Sequence, residues 1–289
     1  MPLTMQGSVY LNGEFMPLAE AKVSVLDRGF LFGDGIYEVI PVYGARLFRL
    51  PHHLQRLEQS LAAIGLANPL SPPQWQGLLE ALVARNGGGD QSLYLQLTRG
   101  VAERDHRFPA NTPPTLFAMS TPIAVTTGAP APSRAITAAD IRWQLCNIKA
   151  ITLLPNILLR QQATDAGADE AIMVREGEVT EGTASNIFVV RDGLITTPPS
   201  GQWLLPGITR DLVVELCQRH QIPCQERRIE AATLHQADEI WLTSSTREIV
   251  PVIALNGQPI ANGRPGPIWQ RVSRHYQAYK QAFREGLEE

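Results

Sequence analysis

At 289 residues, with a net charge of -3, the chain is long enough for two domains and gives no electrostatic reason to bind nucleic acid or an anionic membrane. Its 44% hydrophobic and 18% charged composition is that of a soluble globular protein. Three cysteines form no disulfide framework, residues 1–6 carry no basic and apolar leader, and no window approaches a bilayer span, so a cytoplasmic protein is expected.

Taken in order, residues 9–15 read as a hairpin, because Asn12-Gly13 accepts the positive φ angles of a two-residue turn. Residues 35–43 and 45–50 give a second strand pair, with Ile36, Glu38 and Ile40 on one face and Tyr37, Val39 and Pro41 on the other. Between them, residues 27–35 hold three glycines in nine positions and read as a loop, either an ordinary tight turn or a weak phosphate signal. Pro51 opens a helix with a stripe of Leu54, Leu57, Leu61 and Ile64, and Arg56 lies beside that stripe. His52 and His53 are adjacent, cannot face one metal from a helix, and read as surface residues. A second helix over 73–85 carries Trp75, Leu78, Leu79, Leu82 and Val83 and stops at Gly87-Gly88-Gly89.

Residues 92–98 alternate as a half-buried strand. The loop after it, 99–107, contains Arg99, Arg104, His106 and Arg107. It is either a solvated tip or a trap for a small carboxylate, with Arg104 and His106 converging on it. One more strand follows at 116–119. The uncharged, proline-bearing run 121–133 then reads as a linker between a domain at 1–120 and another at 134–289.

The second domain opens on a stretch, 141–149, that alternates like a strand and ends on Lys149 among apolar neighbours. Desolvation there would lower the ammonium pKa, as a nucleophilic or Schiff-base lysine requires; the plain alternative is a lysine snorkelling at a strand end. A helix over 153–167 follows, then a hairpin about Glu176-Gly177. Residues 180–186 place a single acid, Glu181, among small residues, which suits the edge of a planar ligand or a simple polar turn. In 204–216, Pro206-Gly207 feeds an amphipathic helix whose first amides, at Ile208 and Thr209, suit an anion. The strand 239–246 ends in four hydroxyls, among them Ser245. Asn256-Gly257 marks another hairpin, and a terminal helix covers about 269–287.

These segments carry a resemblance. Arg28-Gly-Phe-Leu-Phe-Gly-Asp-Gly-Ile-Tyr-Glu-Val, Thr98-Arg-Gly with Arg104-x-His106, and Asp140-Ile-Arg-Trp through Ile148-Lys149 contribute the first half. Val179-Thr-Glu-Gly through Ser185-Asn186, Gly207-Ile-Thr-Arg-Asp and Thr243-Ser-Ser-Thr contribute the second. The chain resembles, over nearly its full length, the fold-type IV pyridoxal-phosphate aminotransferases, and within them the bacterial D-amino-acid (D-alanine) transaminase branch, which the Arg104-x-His106 pair singles out.

The resemblance implies an α/β (α+β) fold: a small N-terminal α/β domain and a larger C-terminal domain with a mixed, barrel-like sheet. It implies pyridoxal 5'-phosphate as cofactor, Lys149 as its attachment point and proton shuttle, and Glu181 at the pyridine nitrogen. Arg56, Ile208, Thr209 and Ser245 would hold the phosphate, and Tyr37 would line the substrate side. Arg104 and His106 would bind the substrate α-carboxylate from the neighbouring subunit of a homodimer, with no metal. Asp105 departs from the pattern, since a small neutral residue is expected between the two trap residues. Two alternatives share the machinery: a branched-chain L-amino acid aminotransferase and an aminodeoxychorismate lyase. A non-catalytic cofactor carrier is a third.

Overall fold

The computed structural model describes residues 7–123 and 130–288. The expectations at residues 1–6 and at the middle of the 121–133 run, residues 124–129, lie outside the described residues. The chain divides into two compact units, one of Met1–Val125, Ile148–Thr152 and Phe283–Glu289, the other of Thr126–Asn147 and Leu153–Ala282.

In the first unit, β1 (Ser8–Leu11) and β2 (Glu14–Pro17) turn at Asn12 and Gly13, both at positive φ (48° and 108°). The segment expected as a loop contains a short helix, α1 (Arg28–Phe32). The Asp27 carboxylate accepts from the Gly29 N–H at 2.8 Å to start it, and Gly33, at φ 68°, ends it. Then come β3 (Gly35–Tyr43), β4 (Arg46–Leu47), α2 (Leu50–Ala63), α3 (Pro72–Arg85), β5 (Gln91–Thr98) and β6 (Thr115–Pro122). The strands form one antiparallel sheet in the order β2-β1-β6-β5-β3-β4. Alternation decides which face is covered: Ile36, Ile40, Leu93, Leu95 and Leu97 belong to one buried cluster with Leu57 and Leu61 of α2 and Trp75, Leu79 and Leu82 of α3. Each such side chain contributes about 1.5–3 kcal/mol by leaving water.

The second unit holds β7 (Ser133–Ala139), α4 (Leu154–Asp165), β8 (Glu170–Arg175), β9 (Glu178–Gly182), β10 (Asn186–Arg191), β11 (Leu194–Thr197), α5 (Ile208–Arg219), β12 (Cys224–Glu226), β13 (Glu239–Ser244), β14 (Glu248–Leu255) and β15 (Gln258–Pro259); α6 (Pro267–Arg284) is the terminal helix. Its sheet runs β12-β11-β10-β13-β14-β7-β8-β9, with β15 on β14. It is mixed: β7 lies parallel to β14 and β8, and β11 parallel to β12. Ile187, Val189, Ile240, Leu242, Val250 and Val252 build the core on one face. Phe188 stacks on Trp241 on the other.

The strand expected over 141–149 is not there. β7 ends at Ala139, the Asp140 N–H closes on the Val174 carbonyl at 2.8 Å, and the chain leaves the sheet irregularly. Ile141, Trp143 and Leu145, whose alternation suggested a pleated face, are 54%, 47% and 44% exposed. Asp140 turns the chain by accepting the Arg142 N–H at 3.1 Å.

Candidate active site

In the first unit, Lys149 is held by the edge of β3 rather than by a strand of its own. The Tyr37 N–H donates to the Lys149 carbonyl at 2.9 Å, the Ile151 N–H donates to the Gly35 carbonyl at 3.1 Å, and Ile36 and Ala150 form an antiparallel bridge. On the far side the Lys149 N–H donates to Ser60 Oγ at 3.2 Å, and Ile148 and Ala150 are built into the buried cluster. With both flanking residues anchored, the half-buried side chain has a fixed origin, and Nζ stands 4.0 Å from the centre of the Tyr37 ring. The structure therefore brings two of the expected site residues, Lys149 and Tyr37, together.

Beneath them is a buried charged trio. Glu38, on the inner face of β3, accepts from Arg56 Nε and Nη2 at 2.7 Å each, and its Oε2 lies 2.8 Å from His53 Nδ1. His53, expected at the surface, is only 1% exposed: α2 turns it inward, where a polar group must find a partner, and Glu38 is that partner. Burial opposes the charge on Glu38, but Arg56 and His53 hold its carboxyl well below the usual range. Burial also pushes the His53 imidazole below its ordinary value, against the pull of Glu38. Arg56 is buried as its place beside the stripe suggests, and Glu38 fixes the plane of its guanidinium.

Arg104 and His106 lie on an exposed loop and flank one ring, Phe32. The Arg104 guanidinium carbon is 5.5 Å from its centre, and the His106 ring meets it edge-on at 5.6 Å. The loop is tied down by Arg28, which donates to the Asp105 carbonyl at 2.6 Å and pairs with Asp34 at 2.8 Å. The Asp105 side chain turns to Arg107, at 2.6 Å, with both groups exposed. The acid between Arg104 and His106 is thus paired with Arg107.

The second unit supplies a separate set of groups. Glu181, on β9, is buried and receives only donors: Arg142 Nη1 in a short contact, Asn186 Nδ2 at 3.1 Å, and the Leu205 N–H at 3.1 and 3.2 Å to its two oxygens. Burial pushes its carboxyl up to about 7, and Arg142 pulls against that rise. Arg142 is itself clamped by Asp140, through Nε at 2.9 Å and Nη2 at 2.8 Å, and donates to the Trp203 carbonyl at 3.1 Å. Asp140 is shared further with Arg175 and with the Thr180 hydroxyl. Sequence reasoning gave Arg142, Asp140 and Asn186 no role of their own. The readable signal was an acid two residues before an arginine, beside a lone buried acid that needs a cation.

Ile208 and Thr209 are the first two residues of α5, and no side chain caps Gly207 before them. Their amides have no intrahelical acceptor, and the helix dipole adds positive potential there. A Cβ on Gly207 would sit 1.9 Å from Asn186 Oδ1, so only glycine lets the helix start so close to β10. Beside it in register, Thr243 pairs with Asn186 across β13 and β10, and its buried hydroxyl has no hydrogen-bond partner. Ser245 follows in the half-buried turn after β13. An uncapped helix start, a glycine cradle and an orphaned hydroxyl fit an anion, and Glu181 fits a protonated ring nitrogen.

Residues 35–255 match the family Amino-transferase class IV. That is three quarters of the chain and spans every group just described except Arg28, Phe32 and Asp34. The chain belongs to the class IV aminotransferases. Among known proteins, this aminotransferase is 41% identical to the D-alanine aminotransferase of Bacillus licheniformis over 271 residues, covering 91% of this chain and 94% of that protein. It is 39% identical to the D-alanine aminotransferase of Staphylococcus aureus strain N315, covering 94% and 97%. Its fold is similar to the branched-chain aminotransferase of Thermoproteus uzoniensis solved with norvaline (TM-score 0.87, 28% identity, 97% of both chains). It is also similar to the T.th. branched-chain amino acid aminotransferase solved with pyridoxamine 5'-phosphate (TM-score 0.91, 27% identity, 98% and 96%).

Proposed function

We propose that this class IV aminotransferase moves the amino group of D-amino acids, D-alanine and D-glutamate among them, to 2-oxo acids such as 2-oxoglutarate, with pyridoxal 5'-phosphate as cofactor. The observation that carries the reading is near full-length identity, 35–41%, to D-alanine aminotransferases. The similarity to branched-chain enzymes lies at 24–28% identity. Arg104 and His106 about Phe32 are a second support, because two donors on one ring suit a small carboxylate.

When bound, pyridoxal 5'-phosphate supplies an aldehyde that takes up the amino group and a ring that accepts the electrons left when the α-proton departs. The chain's own residues do the rest. Lys149 would hold the cofactor through Nζ, and its free amine would take the α-proton from the substrate carbon. Its anchored backbone on β3 gives Nζ a defined arc over Tyr37. Glu181, held by Arg142, Asn186 and Leu205, keeps the ring nitrogen protonated. Ile208, Thr209, Ser245 and Arg56 hold the phosphate. Arg104 and His106 hold the substrate carboxylate and so decide which enantiomer points its α-hydrogen at Lys149. The same residues would serve the second, 2-oxo acid substrate in the reverse direction, which gives ping-pong order.

The reading includes a cytoplasmic homodimer in which Arg104 and His106 serve the neighbouring subunit. It is supported by exposed apolar side chains on each unit, such as Phe30 and Phe108, and Leu154 and Ile157 of α4. No helix among the described residues is long and apolar enough to cross a membrane. The test joins attachment to turnover. Borohydride reduction of the yellow protein should fix the cofactor to Lys149 in a peptide map, and D-alanine with 2-oxoglutarate should yield pyruvate. Label on another lysine removes the assignment of Lys149, and label on Lys149 without turnover leaves only a carrier.

A further inference from the structure

A buried arginine joins the loop of Arg104 and His106 to the segment that leads into β3. Arg28, the first residue of α1, is only 3% exposed. Its backbone N–H donates to the Gly100 carbonyl at 2.9 Å, and Asp27 before it bridges Val101. Its side chain makes three contacts at once. Nε donates to Asp34 Oδ2 at 2.8 Å, Nη1 donates to the Asp105 carbonyl at 2.6 Å, and the guanidinium carbon lies 4.8 Å from the centre of the Phe32 ring.

The anchor of this arginine is itself anchored. Arg99, 5% exposed, donates through Nε to the same Asp34 oxygen at 2.8 Å and through Nη2 to the Ile64 carbonyl at 2.6 Å. Its guanidinium carbon also stands 3.6 Å from the centre of Phe108, just past the end of the loop. Burial opposes the charge on Asp34, but Arg99 and Arg28 hold its carboxyl below the usual range. Arg104, Asp105 and His106 are exposed, and the bond from Arg28 falls on the carbonyl of the residue between the other two.

We propose that Arg28 is a positioning residue for substrate selection: with one guanidinium it holds the Asp105 carbonyl and the Phe32 ring, and so sets how Arg104 and His106 present their donors to a substrate carboxylate. The inference rests on the reading of Arg104 and His106 as the carboxylate trap. Both flank Phe32, at 5.5 and 5.6 Å, so ring and loop must keep one relative placement for the two donors to converge. A planar guanidinium enforces that placement, because its donors leave in fixed directions, here one toward Asp34 and one toward the loop. A lysine ammonium ends where the guanidinium carbon lies; it can stay beside Asp34 but falls one bond short of the Asp105 carbonyl. Arg28 acts through Arg104 and His106, not by contact with the substrate.

The experiment follows the D-alanine half-reaction of the holoenzyme, its Arg28→Lys, Arg28→Met and Arg104→Leu variants, and the double Arg28→Lys/Arg104→Leu. Concentration dependence gives a dissociation constant and a limiting rate for each. Neither Arg28 variant strands a buried charge, since lysine keeps a cation beside Asp34 and methionine leaves Asp34 with Arg99. Both should weaken D-alanine by about tenfold, with a smaller change in limiting rate and a narrower preference over L-alanine. Amide hydrogen exchange should quicken over residues 101–107 while the rest of the first unit keeps its protection. In the double variant the loss should be smaller than the product of the two single losses, because one residue works through the other. Wild-type constants and D-to-L preference in both Arg28 variants, beside a weakened Arg104→Leu, overturn the role of Arg28 and leave the trap standing. Losses that multiply in the double overturn it as well, since they make Arg28 an independent contact. Faster exchange throughout the unit, with the limiting rate falling as far as the affinity, overturns it in favour of a purely structural arginine. An unmoved D-alanine constant in Arg104→Leu removes the trap reading itself, and this inference with it.

Discussion

Glu38 and His53 show how a single buried pair writes itself into the pH dependence of the protein. Both groups sit below their ordinary values in the folded chain, from 6.5 for His53 and 4.5 for Glu38. A depressed group contributes stability in full above its unfolded value and loses it as pH falls toward the folded one. The first loss therefore begins near pH 6.5, where the unfolded histidine takes a proton that the folded ring refuses, and a second begins near 4.5. In urea titrations across that range, His53→Gln should flatten the limb just below pH 6.5 and keep the lower one; parallel curves would mean that His53 does not set it. Arg104 makes the opposite kind of prediction, since it is exposed and lies against the Phe32 ring. A charge-assisted hydrogen bond contributes about 1.5–3 kcal/mol and a bidentate one about double, so Arg104→Leu should lower kcat/KM for D-alanine by roughly ten- to several-thousand-fold. Unfolding midpoints should not move, and the slow reaction of an amine without a carboxylate should change little. Equal losses on both substrates would place the carboxylate trap elsewhere.

At the scale of elements, the start of α5 is the feature that local sequence marks most clearly. Pro206-Gly207 ahead of an amphipathic run marks the helix start from sequence alone, and the hairpins at Asn12-Gly13 and Asn256-Gly257 are equally local. What makes Gly207 necessary is not local: it is the Asn186 amide, twenty-one residues earlier, 1.9 Å from where a Cβ would be. Gly207→Ala must displace Asn186 from Glu181 and from the Leu205 carbonyl, at a cost of about 1–3 kcal/mol. It should lower the urea midpoint and weaken cofactor retention together, measured by dialysis at fixed pyridoxal phosphate. Unchanged retention would separate the helix start from the anion. The misread elements have the same origin. Alternation at 141–149 looks like a strand because Ile141, Trp143 and Leu145 are apolar, but alternation reports a pleat only when a sheet covers one side, and these three are exposed. His53 looked like a surface residue because its partner, Glu38, lies fifteen positions away on another element.

For the whole molecule, the legible part was most of the order of elements, the start of α5 and the basic loop after β5 among them. The parts that sequence could not supply are the supports, Arg142 with Asp140 behind Glu181 and β3 beside Lys149, because each joins segments far apart in the chain. The central claim is stereochemical, and a half-reaction tests it with no coupling enzyme. The loaded protein is mixed separately with D-alanine, D-glutamate, L-alanine, L-leucine and L-valine, and loss of the cofactor absorbance is followed in a single turnover. The account predicts that both D-amino acids discharge the absorbance far faster than any L-isomer; faster discharge by L-leucine or L-valine would contradict it and select the branched-chain reading.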